Sequence, residues 1–482
     1  MNNSKANNKY VLLSCPEFNG VVDQIMGKDE KMPSSSSTKN NNETLQAEYK
    51  QFLKNIGTSQ NKINSSKKNN KSKEAMNFLR KSSNLETKHF FRGYINWSNY
   101  SDKSPDIKMS STTLDRLKDG KIIYLAYFSF NEPDATPIID QILFLNSLSH
   151  YGIAELNIVL PYFPVGTMER IVGEGEIPTA YSLAQMINSI PNGTSKNKIY
   201  IFDIHALCSR FFFHTNTIPI LVSMMPDYLE QIQKKDNDLS SSIIVFPDDG
   251  AKKRFEKLLP SKIKTILCSK TRKGDERIIR IDSGMDDLKN MLLTKEKVNL
   301  FVIDDLVQSG GTLLETFNGI LNAICNYTNT NTKTKTNTTT NTKTNTTTNT
   351  TTNTTTNTTT NTTTNTKKIN KSEDIKLDIS KIKFYPMVSH SVFPKDENLT
   401  KFFGLKKGQS KENININKKK CMINEPLVEQ LITTDSRPLQ IKKMTESKNR
   451  DRIIVKNIAD PLFTIFTNPK ESHKYIAPYA IK

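Results

Sequence analysis

The chain has 482 residues, a formal net charge of +19 and only 8 % aromatic residues. The Lys/Arg excess lies mostly in three polar stretches, residues 27–88, 326–383 and 401–456; solvated runs of this kind attract polyanions only weakly, which argues against a dedicated nucleic-acid binder. Five scattered cysteines with no Cys-x-x-Cys pair argue against a zinc site or a disulfide framework. No stretch approaches a membrane span, and the apolar part of MNNSKANNKYVLLSCPEF is too short for a secretory signal. A reducing, cytoplasmic setting with no membrane partner is expected.

In chain order, Tyr10–Ser14 reads as the first strand. Gly27–Lys88 is rich in Ser, Asn and Lys and cannot bury enough apolar surface to offset the entropy of ordering, so a disordered insert is expected over 27–88. Further strands are predicted at Ile122–Phe128, Leu156–Leu160, Ile199–Asp203, Ile243–Phe246, Thr265–Cys268, Asn299–Ile303 and Phe384–Val388. Helices are predicted at Ile138–Tyr151, Thr179–Ile190, Ala251–Leu259 and Leu313–Ile324. This alternation predicts parallel sheets covered by helices, and the strand count suits two α/β halves better than one sheet. Thr328–Thr366 is a near-pure Asn/Thr repeat, expected to be a disordered insertion at 328–366. Lengthening a surface loop costs little, because closure entropy grows only logarithmically. Phe403–Lys420 is a third, smaller candidate of the same kind.

The chemistry concentrates in VNLFVIDDLVQSGGTL, residues 298–313. A buried-strand run leads to Asp304 and Asp305 where ligands gather at strand ends. Ser309, Gly310, Gly311 and Thr312 then offer hydroxyls and open N–H groups at a helix start, an anion site. No Lys follows the glycines, so the loop is not a Walker motif, nor is it G-x-G-x-x-G. Acids beside an anion cradle suit a sugar phosphate. Four other stretches fall at predicted strand ends: LPYFPVGTMER (160–170), DIHA (203–206), FPDDGAK (246–252) and KTRKGDERI (270–278). Singly, each has an ordinary explanation: a structural histidine, a helix-capping Asp, a solvated charged loop. Their joint occurrence in this order makes coincidence a poor one.

Together these stretches resemble the ribose-phosphate pyrophosphokinases, or PRPP synthetases, and within them the plant-type, phosphate-independent pattern. The resemblance is carried by YINWSNYSDKSPDI, PYFPVGTMERIVGEGEIPTA, YIFDIHAL, FPDDGAKKRFEKLL, VIDDLVQSGGTL, VSHSVFPK and ITTDSRP. It covers roughly Tyr10–Met26 and His89–Phe466, interrupted by the inserts. It implies an α/β fold of two tandem type I phosphoribosyltransferase-like domains. The first would use 9–26 and 89–222 plus a terminal segment near 453–470, and the second would run over 223–452 and hold the ribose-phosphate loop. It also implies transfer of the β,γ-diphosphoryl group of Mg-ATP, or another NTP, to the C1 hydroxyl of ribose 5-phosphate, for nucleotide biosynthesis, in a homo-oligomer.

Residue by residue, the resemblance implies that Gln308, Ser309, Gly310, Gly311 and Thr312 hold the 5-phosphate loop and that Asp304 and Asp305 bind the ribose hydroxyls. His205 and Asp248 match positions that bind Mg2+, directly or through water. Lys270 and Arg272 match a mobile catalytic loop. Tyr100, Asp102 and Arg170 match nucleotide contacts. Two departures stand out. Thr167, Met168 and Glu169 replace an Arg-Gln-Asp run whose first two members contact adenine, and Gln308 replaces the Asp of the commoner loop. Three other readings remain open at this point: a phosphoribosyltransferase that consumes PRPP, a non-catalytic PRPP-synthetase-like regulatory subunit, and a basic polyanion-binding protein.

Overall fold

The computed structural model describes residues 9–31, 86–214, 216–273, 276–333, 377–404, 413–416, 419–422 and 428–477. Two sheets organise them. The first has six strands in the order Phe90–Arg92, Tyr10–Ser14, Lys121–Leu125, Glu155–Leu160, Asn197–Phe202 and Thr217–Val222, all neighbours parallel. The second has seven, in the order Glu276–Ser283, Lys264–Lys273, Ser242–Phe246, Val298–Val307, Ile382–Ser391, Leu431–Thr434 and Ile453–Lys456. All its neighbours are parallel except the first pair, which is an antiparallel hairpin. Parallel strands buried on both faces need continuous apolar runs, which is why VNLFVI and SIIVF form central strands. Thr217–Val222 carries Pro219 and lies at an edge, where a missing N–H is tolerated.

One apolar core is shared by the two sheets, joining Leu12, Ile123, Phe202, Ile244, Phe301 and Tyr385. Helices Ile138–Leu148 and Thr179–Asn188 close a second core over the far face of the first sheet. Helices Met285–Thr294 and Gly311–Lys333 close a third over the second sheet. The shared core joins the two halves directly, and the site lies at that junction. Buried polar bonds pin it. The Ser389 hydroxyl of the second sheet donates to Asp203 of the first, and Tyr228 and Ser389 share a hydrogen bond of 3.0 Å.

The alternation of strand and helix is as read from the sequence, but several boundaries move. Helix Asn19–Glu30 runs into the first polar segment, and helix Gly311–Lys333 runs into the Asn/Thr repeat. The central parts of both segments, 32–85 and 334–376, lie outside the described residues. Within the third candidate insert, Asn413–Ile416 and Lys419–Met422 pair as an antiparallel hairpin. The terminal segment divides. Ile453–Lys456 is the edge strand of the second sheet, not part of the first half, whereas helix Ala459–Thr467 packs on helix Asn19–Glu30 of the first. Among the described residues no helix is long and apolar enough to cross a membrane.

Candidate active site

The second sheet changes direction between Ser242–Phe246 and Val298–Val307, its first and fourth strands in chain order. In an open α/β sheet the crevice beyond the carboxyl ends at such a switch point is where ligands sit. Asp248 follows the first of these strands, and Asp304 and Asp305 lie on the second. The strand does not stop at Ile303 as expected; it carries both acids and continues to Val307.

A residue passed over in the sequence explains how two adjacent acids can be buried there. Asp248 caps helix Asp249–Phe255, accepting from the Ala251 amide at 2.9 Å. That cap sets the helical phase so that Ala251, Arg254 and Phe255 face inward. Arg254, 6 % exposed, donates from one terminal nitrogen to Asp304 Oδ1 at 2.9 Å and Asp305 Oδ1 at 2.6 Å. Its other terminal nitrogen donates to the His205 carbonyl at 2.6 Å. A buried cation is stable only when so paired. The i, i+3, i+4 spacing of Ala251, Arg254 and Phe255 was the available signal, hidden inside the run Lys252-Lys253-Arg254.

His205 comes from the first sheet, just beyond strand Asn197–Phe202. Its Nδ1 lies 2.9 Å from Asp305 Oδ2. Asp203, two residues earlier, holds φ +35, a conformation L-residues rarely adopt. It is kept there by the Ser223 hydroxyl at 2.7 Å, the Met224 amide at 3.1 Å and the Ser389 hydroxyl. His205 and Asp305 line one cleft together with Tyr162, Thr167 and His390. His390 is buried; its Nε2 donates to the Phe202 carbonyl at 3.0 Å, and burial lowers its pKa to about 4. Above the cleft, the Arg437 guanidinium stacks on Tyr162 at 5.1 Å and pairs with buried Glu132 at 3.4 Å. None of Arg254, His390, Arg437 and Glu132 had been singled out from the sequence.

The two adjacent acids are charged unequally. Burial, reinforced by Asp305, pushes the Asp304 carboxyl well above the usual range. Asp305 is buried too, but the Arg254 guanidinium and the His205 hydrogen bond outweigh burial and hold its carboxyl below that range. The same bond to Asp305 raises His205.

Lys270 reaches this group: its Nζ lies 3.8 Å from Asp248 Oδ2. It sits on an antiparallel hairpin, Lys264–Lys273 with Glu276–Ser283, whose register shifts between Leu267 and Cys268, rather than on the loop expected. Arg272 is on the same strand, opposite Arg277 in register, and its side chain lies outside the described residues. Gln308 and Ser309 are exposed, and Ser309 Oγ accepts from the Gly311 amide at 3.3 Å. Gly310 has φ +80, and Gly311 and Thr312 open the long helix. The expected nucleotide contacts are elsewhere. Tyr100, 58 % exposed, and Asp102 occupy the turn between strands Ile95–Asn99 and Pro105–Met109, where Asp102 accepts from the Ser104 amide at 3.0 Å. Arg170 is at the surface beside Glu169 at 3.6 Å. None of the three lines the cleft.

No family model matches the chain. Among curated proteins it is 36 % identical over 222 residues to ribose-phosphate pyrophosphokinase 4 of Oryza sativa, covering 46 % of this chain and 63 % of that one. It is 34 % identical over 231 residues to ribose-phosphate pyrophosphokinase 4 of Arabidopsis thaliana, covering 48 % and 64 %. With the mitochondrial ribose-phosphate pyrophosphokinase 3 of Spinacia oleracea the figures are 36 % over 222 residues, 46 % and 50 %. The matched segment thus spans less than two thirds of each relative. A solved phosphoribosylpyrophosphate synthetase from Mycobacterium smegmatis superposes with a TM-score of 0.48 at 12 % identity, covering 79 % of this chain and 91 % of that one. Over that segment the chain is similar in sequence to the plant ribose-phosphate pyrophosphokinases.

Proposed function

We propose that this chain transfers the β,γ-diphosphoryl group of Mg-ATP, or of another NTP, to the C1 hydroxyl of ribose 5-phosphate, giving PRPP and AMP. The observation that carries the reading is the convergence of DIHA, PDDGAKKRF and DDLVQSGGT: His205, Arg254, Asp304 and Asp305 meet through direct hydrogen bonds at the junction of the halves. A phosphoribosyltransferase reading accounts for the glycine loop alone.

The phosphate of the substrate would rest on Gln308–Thr312, where helix Gly311–Lys333 presents its first N–H groups. The acid pair below would fix C1 of the sugar toward the nucleotide, by contact or by positioning, which supplies much of the rate through orientation. Lys270, and Arg272 on the same strand, would stabilise charge growing on the diphosphoryl group and on the leaving AMP. Magnesium binds through few protein ligands and keeps several waters. Among the described residues no group of three or more His, Cys, Asp or Glu converges on a metal position, and His205 with Asp248 suits the sparser arrangement. His205 and Asp248 would hold the ion, directly or through water, and its chemistry there would be neutralisation of phosphate charge. Tyr100, Asp102 and Arg170 lie off the cleft, which supports nucleotide contacts reaching it from a neighbouring copy in a homo-oligomer. A cytoplasmic location is proposed and is testable by fractionation, since two of the plant relatives are named mitochondrial and chloroplastic.

The test is an assay of purified chain with ribose 5-phosphate, Mg2+ and a panel of NTPs, with and without inorganic phosphate. AMP or another NMP should appear together with PRPP in each accepted case. Loss of added PRPP with a nucleobase, and no NTP-dependent formation, would instead establish a phosphoribosyltransferase.

A further inference from the structure

Asp304 and Asp305 are adjacent in sequence but are held differently. Both oxygens of Asp305 are engaged: Oδ1 by Arg254 at 2.6 Å and Oδ2 by His205 Nδ1 at 2.9 Å. Its side chain is 2 % exposed. Asp304 uses Oδ1 alone, for Arg254 at 2.9 Å and the Asp305 amide at 3.0 Å. Its Oδ2 accepts from no donor among the described residues, and its side chain is 12 % exposed. Each Asp305 oxygen is turned onto a protein donor and the side chain is almost fully enclosed, so a diol reaches it less readily than the free, more exposed Asp304 Oδ2. A carboxylate that accepts from an imidazole Nδ1–H fixes the ring, its tautomer and the direction of its other nitrogen.

We infer that Asp305 and Arg254 are positioning residues: Asp305 sets the His205 ring with Nδ1 protonated and Nε2 available, Arg254 holds both carboxylates in place, and Asp304 alone of the pair meets the sugar. The inference rests on the proposed reaction for the identity of the sugar phosphate and the cation, but its geometry does not depend on turnover. Arg254 is central because it also holds the His205 carbonyl at 2.6 Å, so one guanidinium ties the histidine backbone of the first half to the acid pair of the second.

Two binding measurements without nucleotide test it. Ribose 5-phosphate is titrated calorimetrically, and Mn2+ binding is followed by electron paramagnetic resonance, for wild type, Asp304→Asn, Asp305→Asn and His205→Ala. Asp304→Asn should lose about tenfold or more in ribose 5-phosphate affinity, whereas Asp305→Asn should stay within about threefold of wild type. Asp305→Asn should weaken Mn2+ binding about tenfold or more, as His205→Ala does. Equal loss of sugar affinity in the two Asp variants, or unchanged Mn2+ binding in Asp305→Asn, overturns the inference. Should Asp305→Asn fail to fold, the wild type still decides. In long-range proton–nitrogen spectra of histidine-labelled protein, the His205 resonances, identified by their loss in His205→Ala, should show a protonated Nδ1 and a bare Nε2, and the opposite tautomer overturns it. This pattern in a chain that makes no PRPP would refute the proposed reaction and leave the positioning roles standing.

Discussion

Lys270 Nζ lies 3.8 Å from the carboxylate of Asp248, the residue that also caps the helix carrying Arg254. A cation on the hairpin is thereby placed over the switch point, where the diphosphoryl group would pass. Lys270→Ala should lower kcat by about 10²–10³-fold, the scale for removing one charge-stabilising donor. Calorimetric affinity for ribose 5-phosphate should stay within about twofold, because the lysine acts on charge that develops only during transfer. Full turnover in the variant would remove the hairpin from the mechanism.

Gly310 combines φ +80 with a close approach to the ring of Phe402, so a Cβ there meets both backbone strain and a clash. Gly310→Ala should lose on the order of 2–3 kcal/mol of stability by urea unfolding, together with ribose 5-phosphate affinity. Adding Phe402→Ala should relieve the clash but not the strain, so affinity should not return fully.

Much of this arrangement was legible in the sequence, and what was missed has physical causes. VNLFVI announced a central strand, and the SGGT turn announced the helix start, because composition and glycine placement are local signals. The end of that strand was not local: Asp304 and Asp305 remain in the sheet because Arg254, fifty residues away, neutralises them. Lys270–Ile278 read as a charged loop, yet Ile279 and Ile281 pack on the core while Asp282 accepts from Ser269 at 3.1 Å across the hairpin. That period-two alternation was present but was masked by the surrounding charge. Leu431–Thr434 is four residues long and buried on every side, too short for periodicity to separate from its flanks.

The Arg437–Glu132 pair joins the two halves behind Tyr162, with side chains 2 % and 4 % exposed. Removing one partner leaves a buried charge, so Glu132→Ala should cost about 3–5 kcal/mol. The double variant Glu132→Ala with Arg437→Met should recover much of that loss. Urea midpoints of the two variants against wild type provide the check.

Asp227, in helix Met225–Lys235, is pushed up to about 6 by burial, which outweighs Lys456 at 3.7 Å. The folded chain therefore keeps this proton to about pH 6, whereas an unfolded Asp releases it near about pH 4. Its contribution is fully present below about pH 4 and is lost as pH rises through about 6. Relative to Asp227→Asn, wild type should lose on the order of 2 kcal/mol between pH 4 and 6.5, read from urea unfolding at both values. A constant gap between the two proteins across that window would contradict the assignment.

The central claim, diphosphoryl transfer at the junction of the halves, is tested most directly by phosphorus NMR of the products from ribose 5-phosphate and Mg-ATP. The account predicts AMP and PRPP in equal amounts, with the former β and γ phosphorus atoms still joined and both on C1. ADP with a sugar bisphosphate carrying a single phosphoryl group on C1, or no change in ATP beside a correctly folded chain, would contradict it.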